Sequence, residues 1–222
     1  MIRSPLRALV LLVLLSGIPG AVFAEAFRVD LVVFLDQNYQ RGSPNQDTEA
    51  ARLPALTGAI DMDDTAGLAA AGIELLPEAD TRLAEVWNRL GNAKRFKPLT
   101  RMAWIQQSPP ESGGPKIRLH YGDLLPIEPA FDDPTLGPTA PGEDGGGAAQ
   151  VFALDGTITL LLGRFLHLDV DLQYAQHQDG TVAGYFMRES RRLRSGELHH
   201  LDSPRFGVIT KITRPDDPAS DE

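Results

Sequence analysis

Val151 to Gln173 reads Val-Phe-Ala-Leu-Asp-Gly-Thr-Ile-Thr-Leu-Leu-Leu-Gly-Arg-Phe-Leu-His-Leu-Asp-Val-Asp-Leu-Gln. In its first half Phe152, Leu154, Ile158, Leu160 and Leu162 hold the even positions, and after Arg164 the same parity resumes with Leu166, Leu168, Val170 and Leu172. Side chains alternate across a strand, so this run belongs to a sheet with one face on a core. Phe165, His167, Asp169, Asp171 and Gln173 occupy the opposite face. At about 3.3 Å per residue the stretch is too long for one straight strand. Asp155-Gly156 predicts a hairpin turn, and Gly163 a bulge or bend.

Strand signals continue on both sides. Gly180 starts a turn, Val182 to Leu193 pairs back, and Phe206 to Thr213 closes the sheet before Pro215. Ala26 to Asp36 alternates Phe27, Val29, Leu31, Val33 and Leu35 against Arg28 and Asp30, after which Val32 and Phe34 make the second face apolar too. Such a strand is covered on both sides over its far half. Lys97 to Gln107 is a further strand, entered through Pro98 and stopped by Pro109 and Pro110, and Ile117 to Tyr121 is a short one. One helix stands out at Asp80 to Leu90, where Leu83, Val86, Trp87 and Leu90 form a single apolar stripe. Asp80 is its expected N-cap, or Pro77 its first residue, Glu85 and Arg89 pair one turn apart, and Gly91 takes the left-handed position that ends it. Trp87 reads as core.

Strands outnumber helices and short turns join them. The expected fold class is therefore α+β, a single domain with a mostly antiparallel sheet, at least one helix packed on one face, and long irregular loops. Loops near 37–80 and 107–150 are rich in Gly, Pro and Asp and are expected to be mobile.

The N-terminus speaks for export. Arg3 and Arg7 precede the apolar run Ala8 to Leu15, and Val22-Phe23-Ala24 ends in a small residue. This is the pattern of a cleaved signal peptide over residues 1–24. Residues 25–214 would form the domain, and 215–222 a disordered acidic tail. The apolar run is too short to span a bilayer of about 30 Å. The chain has no cysteine, which removes disulfides, thiolate ligands, cysteine nucleophiles and a lipoprotein acylation point. Its formal charge of −9 becomes −11 once Arg3 and Arg7 are removed, against what non-specific nucleic-acid binding requires.

Chemistry concentrates between Arg191 and Thr213. Glu197, His199, His200 and Asp202 resemble a metal cluster, but on a strand 197 and 199 share one face while 200 and 202 share the other. Ser195 with His199 lacks the strand-to-helix elbow of a serine nucleophile. Asp169, Asp171 and Glu197 offer carboxylates whose separation nothing fixes. No catalytic residue, metal or other cofactor is expected on these grounds; a metal-assisted wall hydrolase using Glu197, His199 and His200 stands as the enzymatic alternative. Arg188, Arg191, Arg192 and Arg194 form a basic patch in an acidic chain. Arg192 and Arg194 share a strand face, where guanidinium groups can hold carboxylates through paired hydrogen bonds. Alternatively they pair with Glu197, Asp169 or Asp171 and fix the corner.

The run Arg191-Arg-Leu-Arg-Ser-Gly-Glu-Leu-His-His-Leu-Asp202, followed by Ser203-Pro204 and Gly207, resembles the C-terminal signature of the CsiV family of peptidoglycan-binding periplasmic proteins. Gly163 to Leu168, Ala103-Trp104 with Gln106, and Val29 to Phe34 add to the resemblance, which covers most of the mature chain in order. His200 stands where the family pattern is aromatic, usually Tyr, and Ser203 where it usually shows His. The resemblance implies a non-catalytic protein of the Gram-negative periplasm. Its implied role is to bind peptidoglycan and support cell-wall synthesis by a class A penicillin-binding protein and that synthase's outer-membrane lipoprotein activator. A protein-only adaptor is the other non-enzymatic alternative. Arg164, His167, Arg191, Arg192, Arg194, Glu197, His199 and Asp202 are the candidate ligand-binding residues.

Overall fold

The computed structural model describes residues 25–39, 49–127 and 149–217. Residues 1–24, where a signal peptide is expected, 40–48 and 128–148 of the long loops, and the last five residues lie outside the described residues. From the N-terminal side the elements are β1 (Ala26–Asp36), β2 (Glu49–Ala50), β3 (Ala59–Asp61), α1 (Thr65–Ala70) and β4 (Ile73–Leu76). A 3-10 turn at Glu78–Asp80 leads into α2 (Ala84–Asn92), β5 (Phe96–Gln107) and β6 (Lys116–Ile127). Then come β7 (Ala149–Leu162), β8 (Leu166–Gln178), β9 (Thr181–Leu193), β10 (Leu198–Asp202) and β11 (Phe206–Thr213).

These strands form two sheets, in the orders β10-β11-β1-β5-β4 and β2-β9-β8-β7-β6-β3. All strand pairs are antiparallel except β3 with β6. The class is α+β, as expected, but β11 closes no single sheet with β9. It pairs instead with β1 and β10. The two sheets share one core. Phe27, Val29, Leu31 and Val33 of β1, with Trp104 of β5 and Val208 of β11, meet Leu154, Ile158, Leu168, Leu172, Tyr185 and Met187 of the other sheet. The alternation read along β7 and β8 is thus the inner face of one layer.

On the other side of the first sheet, Val32 and Phe34 pack with Leu83 and Leu90 of the α2 segment, and Val86 and Trp87 close over them. The double-sided reading of β1 and the apolar stripe of the helix are two halves of one contact. The near half of β1 is covered as well. Arg28 and Asp30 are buried, joined through Nε to Oδ2 at 2.8 Å and through the second nitrogen to Oδ1 at 2.9 Å. The Arg82 N–H donates to Asp30 Oδ1, and Arg28 donates to the carbonyl of Asp80.

Several local expectations need correction. Leu83, not Asp80, occupies the N-cap of α2; Asp80 belongs to the preceding 3-10 turn, which Thr81 terminates by donating its hydroxyl to the Glu78 carbonyl. Gly91 lies inside α2, which ends at Ala93 in extended backbone. The Glu85–Arg89 pair forms, at 2.9 Å. Asp155-Gly156 makes no hairpin: β7 runs through it, and the chain reverses at Gly163 to Phe165, where the Gly163 N–H donates to the Phe165 carbonyl. Gly156 is required by close approach instead. With φ at +150°, a Cβ there would stand 2.1 Å from the Asp171 carbonyl oxygen of β8. Part of each long loop is ordered, since 49–80 holds β2, β3, α1 and β4, and the short strand at 117–121 extends over 116–127. Residues 215–217 are tied down by the Asp217 carboxylate, which accepts from the Arg214 N–H, and by Arg82, which donates to the Pro215 carbonyl.

Candidate functional site

The Arg191 to Gly207 run carries the chain from one sheet to the other. β9 ends at Leu193, Arg194 to Glu197 turn, and β10 enters the first sheet beside β11. The Gly196 N–H donates to the Ile212 carbonyl and the Ser195 hydroxyl lies 3.3 Å from the same oxygen, so the turn is pinned to β11. Gly196 has φ +84°, a conformation that a residue with a Cβ adopts at a cost.

The sheet crossing distributes the predicted residues over three surfaces. Arg192 stands opposite His167 on the outer face of the second sheet. Its guanidinium lies 4.3 Å from the centre of the Phe165 ring, and that of Arg164 lies 5.4 Å from the same ring. Phe165 is 41% exposed at the hairpin tip. Among the described residues, no side-chain hydrogen bond or ion pair engages Arg164 or Arg192. His167 Nδ1 sits 3.1 Å from the Phe165 carbonyl. The carboxylates expected as partners are held by others, Asp171 by Arg188 at 3.1 Å and Asp169 by the Ser190 hydroxyl.

Arg194 does not share a strand face with Arg192, because it lies past the end of β9. It sits in the turn with Glu197, 3.4 Å away with both side chains exposed, and its N–H donates to His199 Nε2 at 3.1 Å. Arg191 points to the opposite face from Arg192. It donates to Glu189 at 2.6 Å and to the His200 carbonyl at 3.3 Å, joining β9 to β10.

The third surface is the outer face of the first sheet. On β10, Leu201 is buried, while His200 and Asp202 project the other way, 3.3 Å apart. The His200 ring stacks on Phe34 at 5.6 Å, and Phe96 meets Phe34 edge-on at 5.2 Å. Around them Asp36, Asn38, Tyr39, Arg95, Ser203 and Pro204 complete a cleft of about 590 Å³ beside α2. Arg95 grips both oxygens of Asp36, with Nε at 3.1 and 3.0 Å, and lies over Phe96. This hydrogen bonding outweighs the opposing effect of burial and holds the Asp36 carboxyl below the usual carboxylate range. Arg205 donates to the Asp36 carbonyl at 2.7 Å and lies over the Tyr39 ring. The Ser203 hydroxyl is buried and makes no hydrogen bond in the described structure.

Phe34, Asp36, Tyr39, Arg95 and Phe96 were not legible as site residues. The one hint was the apolar second face of β1, and it pointed equally to burial under the helix. Glu197, His199, His200 and Asp202 do not converge, in line with their alternation along a strand. The group of metal-ligating side chains found among the described residues lies elsewhere, at Asp61, Asp63 and His120.

Comparison with curated proteins and with solved structures gives no match. A family model described as "Peptidoglycan-binding protein, CsiV" matches residues 6–215, nearly the whole of the 222-residue chain. The match includes the Arg191 to Gly207 run, of which His200, Asp202, Ser203 and Pro204 line the cleft, and the chain belongs to the CsiV family of peptidoglycan-binding proteins.

Proposed function

We propose that this chain is a non-catalytic peptidoglycan-binding accessory protein of the periplasm, and that the cleft over Phe34 receives the glycan. The observation that carries the reading is the composition of the cleft: the partly exposed rings of Phe96, Tyr39 and His200 over a floor made by the buried Phe34, beside Asp202, Asn38, Arg95 and Asp36. A sugar ring presents apolar C–H faces that lie against aromatic surface and hydroxyl groups that hydrogen-bond to carboxylates, amides and guanidinium groups. The cleft is of the size ordinary for small-ligand recognition, roughly 300–1,000 Å³.

The Arg164, Phe165 and Arg192 corner complements it. Two exposed guanidinium groups without carboxylate partners among the described residues suit the stem-peptide carboxylates of the wall, and hydrogen-bonded ion pairs of that kind are the stronger ones. Arg191, Arg194, Glu197 and His199 shape the crossing between the sheets and hold β10 in place. Export directed by residues 1–24 would put the protein beside the wall, where the resemblance implies support of a class A penicillin-binding protein together with its outer-membrane lipoprotein activator.

Cosedimentation of the purified protein with isolated sacculi tests the reading. Saturable recovery in the pellet is expected. Equal recovery with and without sacculi would contradict it and favour an adaptor that touches only protein.

A further inference from the structure

Far along the sequence from the cleft residues, the edge of the second sheet brings together three metal-ligating atoms. β3 runs parallel to β6, with Asp61 opposite Arg118, and the chain then turns through Asp63 into α1. His120, two residues further along β6, directs Nε2 toward this turn, 3.1 Å from Asp61 Oδ1 and 3.4 Å from Asp63 Oδ2. One ligand atom from each of the three side chains lies within 4.8 Å of the others.

The surroundings fix His120 and Asp61, while the Asp63 side chain is largely exposed. The His120 ring stacks on Phe152, with centroids 4.4 Å apart and planes 22° apart, so its orientation comes from packing and not only from the carboxylates. Arg118 donates to both oxygens of Asp155, at 3.0 and 2.9 Å, and approaches Asp61 at Oδ2. The Arg118 guanidinium therefore occupies the far oxygen of Asp61, while Oδ1 accepts from the Asp63 N–H at 3.0 Å and faces the imidazole. A neutral imidazole carries one proton at most on Nε2, so of the two carboxylates that converge on it one is left to solvent or to a cation. A dication in that position can bond to all three donors.

We propose that Asp61, Asp63 and His120 bind a borderline divalent cation of the zinc class, fastening the β3–α1 turn to β6. One imidazole nitrogen and two carboxylate oxygens suit zinc, which takes such ligands in four-coordinate sites and fills remaining positions with water. Calcium, which takes six to eight oxygen ligands, is disfavoured by the nitrogen donor and the small number of oxygens. The site stands independently of the glycan reading.

Isothermal titration of the chelator-stripped full chain with zinc chloride tests it, alongside Asp63→Asn, His120→Gln and Asp202→Asn. Saturable uptake of one equivalent is expected, weakened by ~10-fold or more in Asp63→Asn and His120→Gln and unchanged in Asp202→Asn. Calcium chloride should give no saturable heat. The metal-free thermal midpoint of Asp63→Asn, a largely exposed residue, should match the parent chain. Absence of saturable zinc uptake by the parent chain overturns the proposal, as does full affinity in both Asp63→Asn and His120→Gln.

Discussion

Phe34 and His200 stack with ring centroids 5.6 Å apart and 24° between their planes, and Gly207 lies beneath the contact. A Cβ on Gly207 would stand 2.5 Å from Phe34 Cζ and 2.9 Å from His200 Nε2. The glycine is needed for the space it leaves and not for its backbone freedom. It lets β11 pass under two aromatic rings that form the floor and wall of the cleft.

Gly207→Ala should therefore destabilise the fold by about 1–3 kcal/mol, the usual range for forcing extra volume into a packed site. Phe34 is almost wholly buried and has little room to yield. Urea unfolding would measure the change, and Phe34→Leu placed in the same chain should recover part of it. An unchanged midpoint in Gly207→Ala would mean that the ring contact is not as described.

The buried pair of Arg28 and Asp30 makes a second prediction. Asp30→Asn leaves a guanidinium buried without its charge partner, and removal of one member of such a pair costs about 3–5 kcal/mol. Replacing both with apolar residues, as in Arg28→Met with Asp30→Leu, removes the desolvated charges together and should be much milder. Chemical denaturation of the single and double variants distinguishes a pair that stabilises from one that is merely tolerated.

Strong acid should weaken the Asp36–Arg95 pair that lines the cleft. The Asp36 carboxyl is held below its ordinary value of 3.8 mainly by the hydrogen bond from Arg95. The folded protein thus binds that proton more weakly than the unfolded chain does. The resulting stabilisation is present above the ordinary value and is lost as pH falls through the lower folded one. Asp36→Asn should flatten the acid limb of the thermal midpoint against pH, whereas parallel curves for the two proteins would show that Asp36 does not contribute.

Much of this architecture can be read in the sequence because a period of two survives wherever one face is buried. Ala26 to Asp36 and Phe206 to Thr213 are strands over the residues that their alternation marks. The failures have local causes. Asp155-Gly156 carries a turn signal, yet its glycine answers to the backbone of β8, and its aspartate is neutralised by Arg118 from β6. The division into two sheets was hidden because alternation shows which face is buried and not which strand lies beside it. The same limit applies to the cleft. His200 and Asp202 could be placed together on one face of a strand, but Phe34, Arg95 and Phe96 reach them only through the pairing of β1 with β5 and β11.

The arginine corner should act through charge. Arg164→Ala with Arg192→Ala should leave the thermal midpoint nearly unchanged, since both side chains are exposed and, among the described residues, stack only on Phe165. Retention on sacculi should fall, and the difference from the parent chain should shrink as salt is raised. If the double variant unfolds, these arginines hold the hairpin and are not a ligand surface.

The most direct test is cosedimentation with purified sacculi of the parent chain and of a chain carrying both His200→Ala and Asp202→Asn. These residues are exposed on β10, and their replacement leaves the buried Leu201 side of the strand untouched. A cleft that reads glycan predicts retention weakened by ~10-fold, the scale of losing one or two central contacts, with far-ultraviolet circular dichroism and thermal midpoint preserved. Retention equal to that of the parent chain would contradict it and move peptidoglycan binding to another surface.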